Sequence, residues 1–167
     1  MRRTVLVLGL SMLSCWAQVP DNPSVPPAPA QPLPYSHKKH LAMGLQCAQC
    51  HINPDPGAQM TFPASTTCIM CHNTAEVSDR GRVAELAKSA EPIPWVRVYQ
   101  VTPGVTWTHR KHLQAGMQCA MCHGNVAQMD TMAQTTAVLA MASCISCHQS
   151  HKASTACVTC HSWPRGS

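Results

Sequence analysis

The chain has 167 residues and a formal net charge of +5, with 11 cysteines, 10 histidines and 14 prolines but only one phenylalanine, two tyrosines and four tryptophans. This is enough for one domain. So few aromatics among so many prolines exclude a large apolar side-chain core.

Residues 1–17 read as an export signal: Arg2 and Arg3 form the charged start, and Thr4 to Leu13 a short apolar stretch. The stretch falls short of the roughly 20 apolar residues that a membrane span needs. Two endings fit. Met12-Leu13-Ser14-Cys15 resembles a bacterial lipobox, which would put a lipid on Cys15; Cys15-Trp16-Ala17 is also a small-x-small cleavage site. Residues 18–34 form a proline-rich linker, with seven prolines between Pro20 and Pro34. Extended at about 3.1 Å per residue, residues 20–34 reach roughly 45 Å, a semi-stiff spacer.

Residues 35–75 and 107–161 carry an internal repeat offset by 72. Tyr35 to His51 aligns with Trp107 to His123, with ten of 17 positions identical. Each copy opens on aromatic-x-His-x-x-His, namely His37 and His40, then His109 and His112. Gly44 and Gly116 follow, where a turn is needed. The connector, 76–106, is predicted to hold a helix from Asp79 to Ala90 and a strand from Trp95 to Val101. Asp130 is placed to cap a helix from Thr131 to Ala142. Residues 162–167 are a tail.

Cys-x-x-Cys-His occurs five times: Cys47, Cys50 and His51; Cys68, Cys71 and His72; Cys119, Cys122 and His123; Cys144, Cys147 and His148; Cys157, Cys160 and His161. This is the attachment signature of c-type haem. Two thiols add to the vinyl groups of one porphyrin, and the adjacent imidazole takes one face of the iron. Five cysteine pairs all followed by histidine arise by chance on the order of once in a million. Zinc explains the spacing of the first two pairs but not the histidines. A disulfide framework leaves them unexplained too.

Five histidines lie outside the motifs: His37, His40, His109, His112 and His151. Five six-coordinate irons need five second ligands, and five are present. The ten methionines then have no vacant axial position and serve as gap-fillers. A multihaem reductase, needing an open iron position, fits the count poorly. The mature chain, at about 30 residues per haem, must use porphyrin as its core. Losing Arg2 and Arg3 with the leader leaves ten Lys+Arg against seven Asp+Glu, or +3. Two propionates per haem cancel that, so the charge argues for neither nucleic acid nor an anionic membrane.

On these motifs the chain resembles the class III multihaem cytochromes c, the small three- and four-haem carriers with bis-histidine irons. Residues 107–161 match the three-haem layout; residues 35–72 look like the same unit without its last haem. The resemblance implies a small, mostly irregular fold with some α-helix, wrapped around stacked haems. It implies the ligand pairs His37–His51, His40–His72, His109–His123 and His112–His148, leaving His151 for His161. With five motifs and an export signal, the expectation is a non-enzymatic electron carrier with five covalent haems, exported to the bacterial periplasm, with redox proteins as partners. Pro94-Trp95-Val96-Arg97-Val98 is similar to a stretch in the five-haem subunit of a bacterial membrane quinol-oxidising complex. A haem-bearing subunit of such a complex, tethered through Cys15, is the alternative.

Overall fold

The structure is a computed structural model that describes residues 18–73, 83, 85 and 92–162. Its helices are short: α1 (His37–Ala42), α2 (Cys47–Cys50), α3 (Ser65–Ile69), α4 (His109–Gln114), α5 (Cys119–His123), α6 (Met141–Ser150) and α7 (Cys157–Cys160), with a 3₁₀ turn at Val126–Gln128. Among the described residues there is no strand beyond two isolated bridges, and no helix is long and apolar enough to cross a membrane.

The start of each repeat folds alike. Ser36 caps α1, its Oγ accepting from the Lys39 N–H at 3.1 Å. The helix ends at Gly44, at φ +85°, whose N–H returns to the Leu41 carbonyl. In the second repeat, α4 ends at Gly116, at φ +84°, bonded back to Leu113. A left-handed residue reverses the chain cheaply only where no Cβ is present, so each glycine turns the chain from its histidine helix into its first cysteine pair.

The two halves brace each other. The Lys38 N–H donates to the Met129 carbonyl at 3.0 Å, and the Arg110 N–H donates to Gly57 at 3.2 Å. These are one bond made twice, since 38 and 110, like 57 and 129, differ by the repeat offset. Ser36 Oγ donates to Asp130 at 2.7 Å, Thr108 Oγ1 donates to the Gly57 carbonyl at 2.8 Å, and Arg110 pairs with Asp55. The histidine helix of each half thus rests on the loop after the first cysteine pair of the other.

The proline-rich segment is fastened down. Asp21 bridges to Thr136, Val19 N–H donates to Met121, and the Ala137 N–H donates to Pro20. Leu33 then enters a small cluster with Val83 and Ile93, against which Cys68, Ile69 and Trp95 pack. Apart from these three residues, Met121 is the one buried large apolar side chain among the described residues, and no described side chain falls below 2 % exposure. The described polypeptide alone has almost no core.

Two expected elements differ. Residues 95–101 form no strand, because the neighbouring chain is the proline-rich segment, which has few N–H groups for a ladder. The Gln31 side chain stands in for it, accepting from the Val96 N–H at 3.0 Å and donating to the Val96 carbonyl at 2.9 Å. The helix expected from 131 to 142 begins instead at Met141. Asp130 is engaged by Ser36, and the threonine-rich stretch before Met141 lies extended along residues 20–22, with the Asn22 N–H donating to Thr135 at 2.8 Å. The helix expected over 79–90 falls outside the described residues except at Val83, which is buried, and Glu85.

Gly57, at φ +88°, is the tightest joint: a Cβ there would meet Arg110 Cβ at 2.7 Å. Gly57→Ala should destabilise the haem-loaded protein by about 2–4 kcal/mol, from left-handed strain plus overpacking. Gly44→Ala, whose Cβ meets nothing within 4 Å, should lose only the strain, about 1–2 kcal/mol. Thermal melts of the two variants compare them. Haem-free protein should show no cooperative melt at all; a native-like transition without haem would contradict a core made of porphyrin.

Candidate haem-binding sites

Four of the five cysteine pairs sit within a helix, where residues three apart share a face, and the fifth spans the end of α3, Cys68 in the helix and Cys71 in the turn after it. In α2 and α7 the histidine follows at the C-terminal cap, its N–H bonded to the first cysteine's carbonyl at 2.9 Å. His72 does the same onto Cys68 at 2.8 Å. His123 and His148 continue their helices. The ten described cysteines are all unbridged thiols.

Four of the five pairs implied by the resemblance have their imidazoles brought opposite each other across a gap. His37 and His51 have ring centres 6.4 Å apart and planes 15° from parallel; for His109 and His123 the values are 6.4 Å and 6°. His40 and His72 stand at 6.2 Å and 32°, and His112 and His148 at 6.2 Å and 37°. A metal–imidazole bond is about 2 Å, and a ring of bonds near ~1.33 Å puts each nitrogen about 1.1 Å from its centre. Two imidazoles on opposite faces of one metal therefore have centres about 6.3 Å apart. The gap is the one a single iron would fit.

The outer nitrogens face protein. His40 Nδ1 lies 2.7 Å from the Ser36 carbonyl, His51 2.8 Å from Thr61, His109 2.9 Å from Ala58, His112 2.9 Å from Thr108 and His148 2.6 Å from Ser154. A carbonyl can only accept, so each Nδ1 carries the proton and Nε2 keeps its lone pair for the metal. Burial pushes the His37, His112 and His123 imidazoles down, His123 to about 4; the neutral ring is the metal-binding form.

The aromatic residue before each histidine pair holds both rings. Tyr35 stacks on His40 at 4.3 Å and meets His37 edge-on at 4.9 Å. Trp107 lies on His112 at 4.0 Å and meets His109 edge-on at 5.4 Å. Burial, followed by the nearby Cys50 and Cys68 thiols, pushes the Tyr35 phenol up to about 12. Tyr99 stands edge-on to His123 at 4.8 Å. Sequence reading placed the two aromatics in the repeat without a role. Tyr99, in the connector, and the carbonyl acceptors left no signal there, since backbone groups are common to all residues.

The thiols also give an order. Burial raises the Cys68, Cys119, Cys122 and Cys144 thiols, and so do thiols of neighbouring motifs: Cys50 acts on Cys68, Cys47 on Cys119, Cys147 on Cys122 and Cys160 on Cys144. The motifs therefore run Cys68/Cys71, Cys47/Cys50, Cys119/Cys122, Cys144/Cys147, Cys157/Cys160. His161 is tied to Val105 through a bridge. His151 is exposed at the C-terminal cap of α6, and no ring among the described residues faces it.

Paired imidazoles, unbridged thiols on one helical turn and Nδ1 protons fixed on carbonyls fit a covalently attached, axially ligated haem. A zinc site would need three or four donors converging on one point; among the described residues no three His, Cys, Asp or Glu side chains do so. Comparison with known families agrees. The family described as cytochrome c3 matches residues 39–123, just over half the chain, and that described as cytochrome c7 and related cytochrome c matches residues 105–162. No curated protein matches the chain.

His40→Ala should leave one iron five-coordinate. The expected result is one high-spin ferric signal in EPR and binding of one carbon monoxide per ferrous molecule, with the other haems still low-spin.

Proposed function

The chain belongs to the cytochrome c3 family, the class III multihaem cytochromes c that carry electrons on covalent haem, and from that premise we propose that it is an exported five-haem electron carrier. The observation that carries the reading is the spacing of four imidazole pairs, 6.2–6.4 Å between ring centres. Haem, once bound, supplies a one-electron couple at each site.

The residues divide the work. Cys47 and Cys50, Cys68 and Cys71, Cys119 and Cys122, Cys144 and Cys147, and Cys157 and Cys160 would hold the porphyrins by thioether bonds. His51, His72, His123, His148 and His161 would each ligate an iron, with His37, His40, His109, His112 and His151 as the second ligands. The fifth pairing, His151 with His161, rests on the count of histidines. Two imidazoles and no thioether ligand keep the potentials low. No step calls for a base, a nucleophile or a substrate pocket, so the protein passes electrons between periplasmic partners rather than catalysing a reaction.

A haem-bearing subunit of a membrane quinol-oxidising complex is the second reading. It draws on the lipobox-like Met12-Leu13-Ser14-Cys15 and on Pro94 to Val98, and would make the mature protein a lipoprotein that co-purifies with a large membrane assembly.

A pyridine haemochrome assay combined with intact mass tests the main reading. Five haems per chain are expected, and four or fewer would remove His151 and His161 as a ligand pair. The same mass distinguishes a lipid on Cys15 from cleavage after Ala17.

A further inference from the structure

The four facing pairs are not equally supported from behind. In three of them one imidazole donates its Nδ1 proton to a carbonyl and the other does not: His51 donates while the buried Nδ1 of His37 meets no acceptor, His40 donates while His72 does not, and His109 donates while His123 does not. Only at the fourth do both rings donate, His112 to Thr108 at 2.9 Å and His148 to Ser154 at 2.6 Å.

The difference has a source in the chain. His148 reaches Ser154 because residues 152–156 fold back between α6 and α7. There the Ala153 N–H bonds to the His148 carbonyl at 2.7 Å, and Ser154 Oγ is clasped to Thr159 Oγ1 at 2.7 Å. That loop leads into the third motif of the second half. The first half has no third motif, and the outer nitrogen of its His72 meets no acceptor.

An imidazole that gives its outer proton to an acceptor becomes a more basic ligand. More electron density on the iron favours the ferric state and lowers the potential. Two such ligands act in the same direction. His148 also lies in the last turn of the ten-residue α6, at the negative end of its dipole, which again favours the more positive metal.

We propose that the site of His112 and His148 holds the most reducing iron of the four, set by Thr108 and Ser154 as positioning residues acting through their carbonyls. Its motif stands between that of His123 and that of His161. The connection between the first three sites and the C-terminal one therefore passes a point where an electron is least stable. This would keep the C-terminal site from sharing electrons freely with the others.

The inference rests on the haem reading, but its test is separate from the haem count. The experiment is a reductive titration of the intact haem-loaded protein, followed by NMR with haem methyl signals assigned to each motif. The haem on Cys144 and Cys147 is expected to be the last of the four haems between facing imidazoles to become reduced. A titration in which the haem on Cys47, Cys68 or Cys119 is reduced after it would overturn the proposal while leaving the count of haems intact.

Discussion

Two imidazoles must stand a fixed distance apart with their inner nitrogens aimed at one point, and the rest of the molecule serves that requirement. The tolerance is a few tenths of an ångström, because two metal–nitrogen bonds set the gap. A conventional protein would hold such rings by packing them in a core. Among the described residues this one buries no large side chain fully, so it uses directional restraints: single-turn helices, a stacked aromatic ring and a carbonyl behind the outer nitrogen. Bound porphyrins would supply the apolar bulk that the sequence lacks.

The restraints are shared between the halves. His109 belongs to the second repeat, yet the carbonyl that fixes its outer nitrogen comes from Ala58 in the first. Lys38 and Ser36, beside His37, are held from Met129 and Asp130. The proline-rich segment adds a strap that touches both, from Met121 and Thr136 in the second half to the cluster of Leu33 against which Cys68 and Ile69 of the first half pack. No half is complete without the other, which is how so little apolar surface suffices to order the ligands.

Much of the candidate site was legible in the sequence because its chemistry needs particular residues at particular spacings. A thioether-linked porphyrin requires Cys-x-x-Cys, and its iron requires the next histidine; the repeat then tied each His-x-x-His to its motifs. The glycine turns at Gly44 and Gly116 were legible for a similar reason, since few other residues accept that backbone. What escaped depends on tertiary partners. Residues 95–101 alternate like a strand, but a strand needs a ladder, and the proline-rich neighbour supplies a glutamine side chain in its place. Asp130 looks like a helix cap until Ser36, 94 positions away, engages it. The carbonyls behind the histidines belong to ordinary residues such as Thr61 and Ala58, and nothing in their side chains marks them.

The paired bonds Lys38 to Met129 and Arg110 to Gly57 have a further meaning. A contact in which each side gives what it receives is isologous, the kind that two copies of one chain make about a two-fold axis. Here both copies are written into one polypeptide, with the Cys119 thiol beside that of Cys47 near that axis. Such an object, left alone, would have interchangeable ends. The third motif, present on one copy only, gives this one a front and a back.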